Sequence, residues 1–380
     1  MRTLRGARAR SRACFAAGAG PVRSPARTIP GRGVGGRKTS SRTPADVPRG
    51  AEPTNTSAAS LAATARGDEV TLRFATISQP MQPITKQFYE PWAAKVNAEG
   101  KGALQIDLRT GTTVANIFNI YPRVINDVMH MGFELHNYVS GKFPYSEVAS
   151  LPFMAETSEQ ASVALWRLYK TGMLDKEYDE AIPMMLIGLP QSLLHANKAP
   201  KQFDDWGGMK VIGPTQLTAL TTKYMGGTPL TLGSSEIYEA LQRGTAEGGI
   251  VSYNAYQSFK LHEVTKFHVD TTLGTASGMI FMSRKFYDAL PAEARKVLDA
   301  NTGEATSRAW AKWWDDDNER GRQMVKADPK HTVVILTSEQ REVWKRKVDG
   351  AIEEWSQSRP GVGRVIAEYQ KLLARVKSGS

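Results

Sequence analysis

From Glu69 to Leu135 the chain alternates strand-like and helix-like stretches in an order that few folds accept. "EVTLRFATIS" has the period-2 pattern of a strand from Glu69 to Ile77. Ile84 to Asn97 then carries Phe88, Trp92 and Val96 four apart, which predicts one apolar helix face. "ALQIDLRTG" is a second strand closed by Gly111. Ala115 to Asn126 reads as a helix broken or kinked near Pro122, and "VMHMGFEL" as a third strand. A β-α-β-α-β order predicts a parallel, doubly wound sheet.

The chain then supplies more strands than one sheet uses. Ser158 to Lys170 is predicted helical, with Thr157 as N-cap and Gly172 as stop. "IPMMLIGLPQSLLHANK", "MKVIG", Gly249 to Ser252, "EVTKFHVDTTL", "GMIFMS" and "HTVVILT" are strand material. Gly213-Pro214 ends "MKVIG", and a helix follows over Leu217 to Met225. A very long helix is expected from about Ala292 to Lys326, and two helices finish the chain. The expected fold class is α/β in two lobes. The sequence divides as 69–189 with 270–310, and 190–269 with 311–380. Strand ends facing each other across such lobes form a cleft where small molecules bind.

Composition excludes several function classes. The net charge of +11 belongs almost wholly to residues 1–68, where twelve Arg and one Lys face only Asp46, Glu52 and Asp68. The remaining 312 residues are nearly neutral, so no basic surface tracks nucleic acid. Residues 1–68, rich in Arg, Ala, Gly, Pro and Ser, are expected to be disordered. Three accounts of this leader stand: a degenerate secretory signal, an organelle transit peptide, or a start placed too far upstream. Gly31 to Gly36 satisfies G-x-G-x-x-G there, but without a preceding strand it carries no dinucleotide site. Cys14 is the lone cysteine, so the body has no disulfide or cysteine metal site, and no run approaches a membrane span. The six histidines form no H-E-x-x-H pattern, and no G-x-S-x-G elbow occurs. Asp315, Asp316 and Asp317 point in different directions on a helix and read as a solvated face. No metal, cofactor or enzymatic activity is expected.

Four stretches carry a family resemblance: "KFPYSEVASLPFM" (142–154), "EIYEALQRGTAEGGI" (236–250), "HEVTKFH" (262–268) and "MSRKFYDALPAEARKVLDA" (282–300). Together, in this order and spacing, residues 69–380 resemble the DctP-type solute-binding proteins of TRAP transporters. The resemblance implies a two-lobed, periplasmic-binding-protein-like fold with a hinge and one long helix crossing both lobes. It implies a periplasmic receptor that captures a small organic solute, an organic acid by family habit, and delivers it to TRAP permease subunits. A sensor that presents its loaded state to a signalling partner is the alternative.

The resemblance also marks a departure. Members commonly hold a substrate carboxylate with an Arg on a G-L-K-I-R-x-P strand, whereas this chain reads Gly208-Met209-Lys210-Val211-Ile212-Gly213-Pro214. A second family Arg falls near Gln191 or Ser192, an Asn falls at Val251, and a stacking aromatic falls at Ser234. A buried carboxylate without a partner costs several kcal/mol, and Ile212 offers no compensation. Three ligand chemistries fit: an acid held by another Arg or by the helix start at Thr215 and Gln216; a neutral or aromatic solute; or a cation held by aromatic faces and a carboxylate such as Glu134. The candidate ligand-binding residues are Gln79, Gln82, Glu134, Asn137, Gln191, Ile212, Thr215, Gln216, Val251, Tyr253 and Asn254. His136 and Tyr138 lie beside Asn137, and Trp310, Trp313 and Trp314 read as packing.

Overall fold

A computed structural model describes residues 69–232 and 236–379. The Arg-rich leader and Ser234 lie outside the described residues. The first sheet has the order β2-β1-β3-β10-β4. It is built from β1 (Val70–Thr76), β2 (Leu104–Thr110), β3 (Met131–Leu135), β4 (Ala181–Gly188) and β10 (Ser277–Ser283). β1 runs parallel to β2 and β3, as the alternating elements predict, and β10 enters antiparallel between β3 and β4.

Helices cover both faces of this sheet. Before α1 (Glu90–Glu99), one turn of π geometry over Thr85–Tyr89 brings Phe88 inward, and Trp92 and Val96 continue the buried stripe. Phe74 of β1 meets Trp92 edge-on at 5.9 Å. The helix expected over 115–126 is shorter, forming only as α2 (Ile120–Ile125). Asn116 and Asn119 explain the difference: their side chains accept from the N–H groups of Phe118 (3.0 Å) and Asn116 (2.8 Å), turns that compete with helix. Pro122 therefore falls in the first helical turn, where its missing N–H costs nothing, and introduces no kink. On the other face α3 (Ser158–Lys170) starts as expected, with the Thr157 hydroxyl accepting from Gln160 N–H at 3.1 Å.

The second sheet has the order β11-β9-β5-β8-β6-β7. Its strands are β5 (Leu193–Ala196), β6 (Lys210–Ile212), β7 (Thr228–Leu230), β8 (Gly248–Val251), β9 (Phe267–Asp270) and β11 (Thr332–Ile335). The run "IPMMLIGLPQSLLHANK" is thus split between sheets, β4 to the first and β5 to the second. The return crossing is Thr271–Ala276, between β9 and β10. The two crossings are strapped together: Leu189 N–H donates to Ala276 O (2.9 Å), Ser192 N–H to Gly274 O (2.8 Å), and Leu273 N–H to Ser192 O (2.8 Å). These straps form the hinge region.

The long C-terminal helix breaks once. α8 (Ala292–Ala300) stops at Asn301, and Gly303 at φ +92° restarts the chain as α9 (Glu304–Ala327). α9 still spans both halves, packing on α3 and β4 and then on α6 (Tyr253–Ser258) and β11. Trp310 is fully buried on it against Phe88 and Phe133, as core. The three aspartates of α9 are structural: Asp315 accepts from Ser158 and Glu159 N–H at the start of α3, while Asp316 and Asp317 pair with Lys312 and Arg320. α10 (Ser338–Gln357) packs on α4 (Gln216–Tyr224), and α11 (Val362–Lys377) returns to α3. Residues 362–377, expected with the second lobe, therefore lie against the first.

Candidate ligand cleft

β3 and β6 end opposite each other, and the loops that follow them form the two walls of a cavity of about 340 Å³. Asn137, Tyr138, Val139, Ser140 and Gly141 follow β3, joined by Glu147 and Ser150 from the next turn. Pro214, Thr215, Gln216 and Leu217 follow β6, and Thr231 follows β7. Thr275 and Ala276 of the second crossing and the Trp355–Arg359 corner, between α10 and α11, complete the lining.

Each wall is held in place locally. The Thr215 hydroxyl caps Thr218 N–H at 3.1 Å and the Thr218 hydroxyl accepts from Thr215 N–H at 3.0 Å, so a capping box opens α4. The N–H groups of Gln216 and Leu217, in the first helical turn, have no intrahelical acceptor and carry the positive end of the helix dipole. Tyr138 is steadied by Phe118, whose ring meets it edge-on at 5.5 Å while itself 74% exposed. Asn137 Oδ1 is buried without a hydrogen-bond partner among the described residues.

Among the described residues, the one guanidinium in the lining belongs to Arg359. Its Nη1 donates to Trp355 O and Ser358 Oγ, both at 2.9 Å. Its Nη2 donates to Glu147 Oε2 at 3.0 Å and to Gln216 Oε1 at 3.1 Å. The guanidinium carbon lies 4.2 Å from the centre of the Trp355 ring, and Nε is buried with no partner among the described residues. Burial pushes Glu147 above the ordinary carboxylate range, against the pull of Arg359. Arg359 thus touches both walls, Glu147 on one and Gln216 on the other.

The structure brings three of the sequence candidates, Asn137, Thr215 and Gln216, into this cavity. Ile212 lies elsewhere: it is fully buried in an apolar cluster with Leu193, Ile237, Leu241 and Val251, facing the interior of the second half. Val251 and Tyr253 belong to the same cluster. The Asn254 side chain pairs with Ser252 Oγ at 2.5 Å. Gln79 and Gln82 close on each other in an exposed loop, Gln79 N–H to Gln82 Oε1 at 2.9 Å. Glu134 is buried at the end of β3, where Leu135 N–H donates to it at 2.9 Å; burial lifts its carboxyl to about 8, so it is neutral at pH 7. Gln191, beside the hinge straps, is buried with both amide atoms unpartnered among the described residues. None of these eight is in the cavity lining. His136 is bound into the core between Ser277 Oγ and Tyr178 OH, both at 2.9 Å. Sequence reasoning missed Glu147, Trp355 and Arg359. The available signal was a Trp and an Arg four apart at a helix end closed by Pro360-Gly361.

Residues 74–358 match the model of the bacterial extracellular solute-binding protein family 7, DctP. The chain belongs to that family. It is a TRAP-type solute-binding protein, a receptor for small ligands. The TsaT protein of Comamonas testosteroni, described as an outer membrane transporter protein, is 24% identical over 265 residues, 68% of this chain and 77% of its own length. A TRAP solute-binding protein from Rhodoferax ferrireducens, solved with copurified benzoate, is 26% identical with a TM-score of 0.73, covering 82% of this chain and 100% of that one. A marine metagenome TRAP protein specific for aromatic acids, solved with 3-hydroxybenzoate, has a TM-score of 0.74 at 24% identity, with 81% and 99% coverage. Among the described residues of this family-7 protein, no helix is long and apolar enough to cross a membrane.

Proposed function

We propose that this receptor works in the periplasm, where it closes on a small aromatic carboxylate and hands it unchanged to TRAP-type permease subunits. The observation that carries the reading is the cavity itself. It joins the loop ends of both sheets, it is of a size suited to a small solute, and it combines aromatic surface at Tyr138 and Trp355 with polar groups from both walls. The benzoate bound by the Rhodoferax relative supports the ligand class. Closure buries the solute, and preferential affinity for the closed form drives the motion. A dissociation constant near micromolar, about −8 kcal/mol, suffices for capture.

Thermal-shift titration of the purified protein tests this. Benzoate and 3-hydroxybenzoate are expected to raise the unfolding temperature progressively with concentration, adding about 2.7 kcal/mol of stability at one hundred times the dissociation constant. Benzylamine and benzamide serve as controls. A shift with the amine and none with any carboxylate would overturn the reading.

A further inference from the structure

The strand position that the family resemblance gives to a cation is occupied by Ile212, wholly buried in the second half's apolar cluster. The cavity nevertheless contains a guanidinium, placed on it from the far end of the chain. We infer that the ligand's carboxylate is anchored by Arg359 together with the first turn of α4, in place of a strand arginine. The inference rests on the carboxylate reading above and adds the residues that recognise the acid.

Four features favour this placement. Arg359 Nε has no partner among the described residues, and one of its two Nη2 acceptors is a neutral amide oxygen, Gln216 Oε1 at 3.1 Å. A carboxylate is the stronger acceptor for a guanidinium and displaces an amide oxygen from it. The Gln216 side chain, once released, can turn its NH₂ toward the same anion, and Thr215, Gln216 and Leu217 at the start of α4 line the cavity beside it. The Trp355 ring under the guanidinium and the Nη1 bonds to Trp355 O and Ser358 Oγ fix the orientation of the fork without using the Nη2 edge. Glu147 is the competing anion. It holds the same Nη2 at 3.0 Å in this form, so it opposes a second negative charge there.

Isothermal titration with benzoate and with benzamide separates the possibilities. Wild-type protein is expected to bind benzoate. Arg359→Gln should bind it about 10- to 100-fold more weakly, with benzamide affinity unchanged. Glu147→Gln, which removes the like charge, should tighten benzoate about fivefold. This second variant guards against simple misfolding of the first, because a residue that only clasps the two halves gives no gain in acid affinity when its partner is neutralised. Retained benzoate affinity in Arg359→Gln, or no gain in Glu147→Gln, overturns the anchor while leaving the receptor reading intact. A wild-type protein that binds no carboxylate overturns both.

Discussion

His195 and His268 meet Nδ1 to Nδ1 at 2.8 Å across the β5–β9 pairing, and His268 Nε2 continues to His331 Nδ1 at 3.0 Å. Three of the six histidines that look scattered in the sequence thus form one buried chain, stacked on Tyr256 at 4.4 Å through His195. Burial holds His195 well below its ordinary range and His268 at about 3; each nearby imidazole adds to the effect.

That chain predicts acid sensitivity. Below about 6.5 the unfolded imidazoles take up protons that the folded ones refuse, so stability present at neutral pH is lost as pH falls toward 3. The slope is about 1.4 kcal/mol per pH unit for each such histidine. Glu134 and Glu177, whose carboxyls burial raises to about 8 and about 7, act in the opposite sense. The difference between wild type and His268→Gln in urea midpoints at pH 7, 6 and 5 isolates the imidazoles. The gap between the two proteins should narrow as pH falls; a constant gap contradicts the account.

Glu134 predicts a loss at the alkaline end. Its folded carboxyl stays protonated up to about 8, so stability falls as pH rises from the ordinary carboxylate range through 8. Glu134→Gln keeps the shape and removes the ionisation. Its stability relative to wild type should rise by about 1.4 kcal/mol per pH unit between pH 6 and pH 8, read from urea unfolding at both values.

Asp315 predicts a helix-start defect acting across two elements. Its carboxylate accepts from Ser158 N–H (2.7 Å) and Glu159 N–H (2.9 Å), joining α9 to the first turn of α3. Asp315→Ala should cost about 1–2 kcal/mol, with Asp315→Asn losing less. Hydrogen exchange should show the added opening at residues 158–161 first.

Gly274 predicts a constraint on the hinge. It sits at φ +95°, and a Cβ there would lie 2.9 Å from Ser150 O. Gly274→Ala forces an L side chain into left-handed backbone against a fixed carbonyl, so the strap to Ser192 should loosen. The expected outcome is a destabilisation of about 1–3 kcal/mol, together with weaker benzoate binding and a larger radius of gyration by small-angle scattering in the presence of ligand. Unchanged scattering and affinity would show that this crossing does not control closure.

Much of the fold was legible because its signals are local. The 88-92-96 stripe and the Thr157 cap depend on neighbours a few residues apart, the alternation of strand and helix periods that implies parallel pairing of β1 with β2 and β3 is read segment by segment, and all three appear where expected. The failures had local causes too: the Asn116 and Asn119 side chains displaced the first turn of α2, and Gly303 broke the long helix. The candidate site was less legible. Thr215, Gln216 and Asn137 line the cavity because the loops that form it follow strand ends. Ile212 was chosen because the family resemblance places a cation there, and a motif position does not say whether the residue that replaces the cation turns to the ligand or to the core.

The sequence by itself determined the alternation of strands and helices, the neutrality of the body, and the family that its motifs mark. Only the tertiary structure decided which charged group reaches the cleft. Arg359 is 212 residues from Glu147 and 143 from Gln216. No local period links a turn near the C-terminus to loops that far upstream; α10 and α11 bring it there by packing on α4 and α3, and that packing is set by surfaces meeting in space.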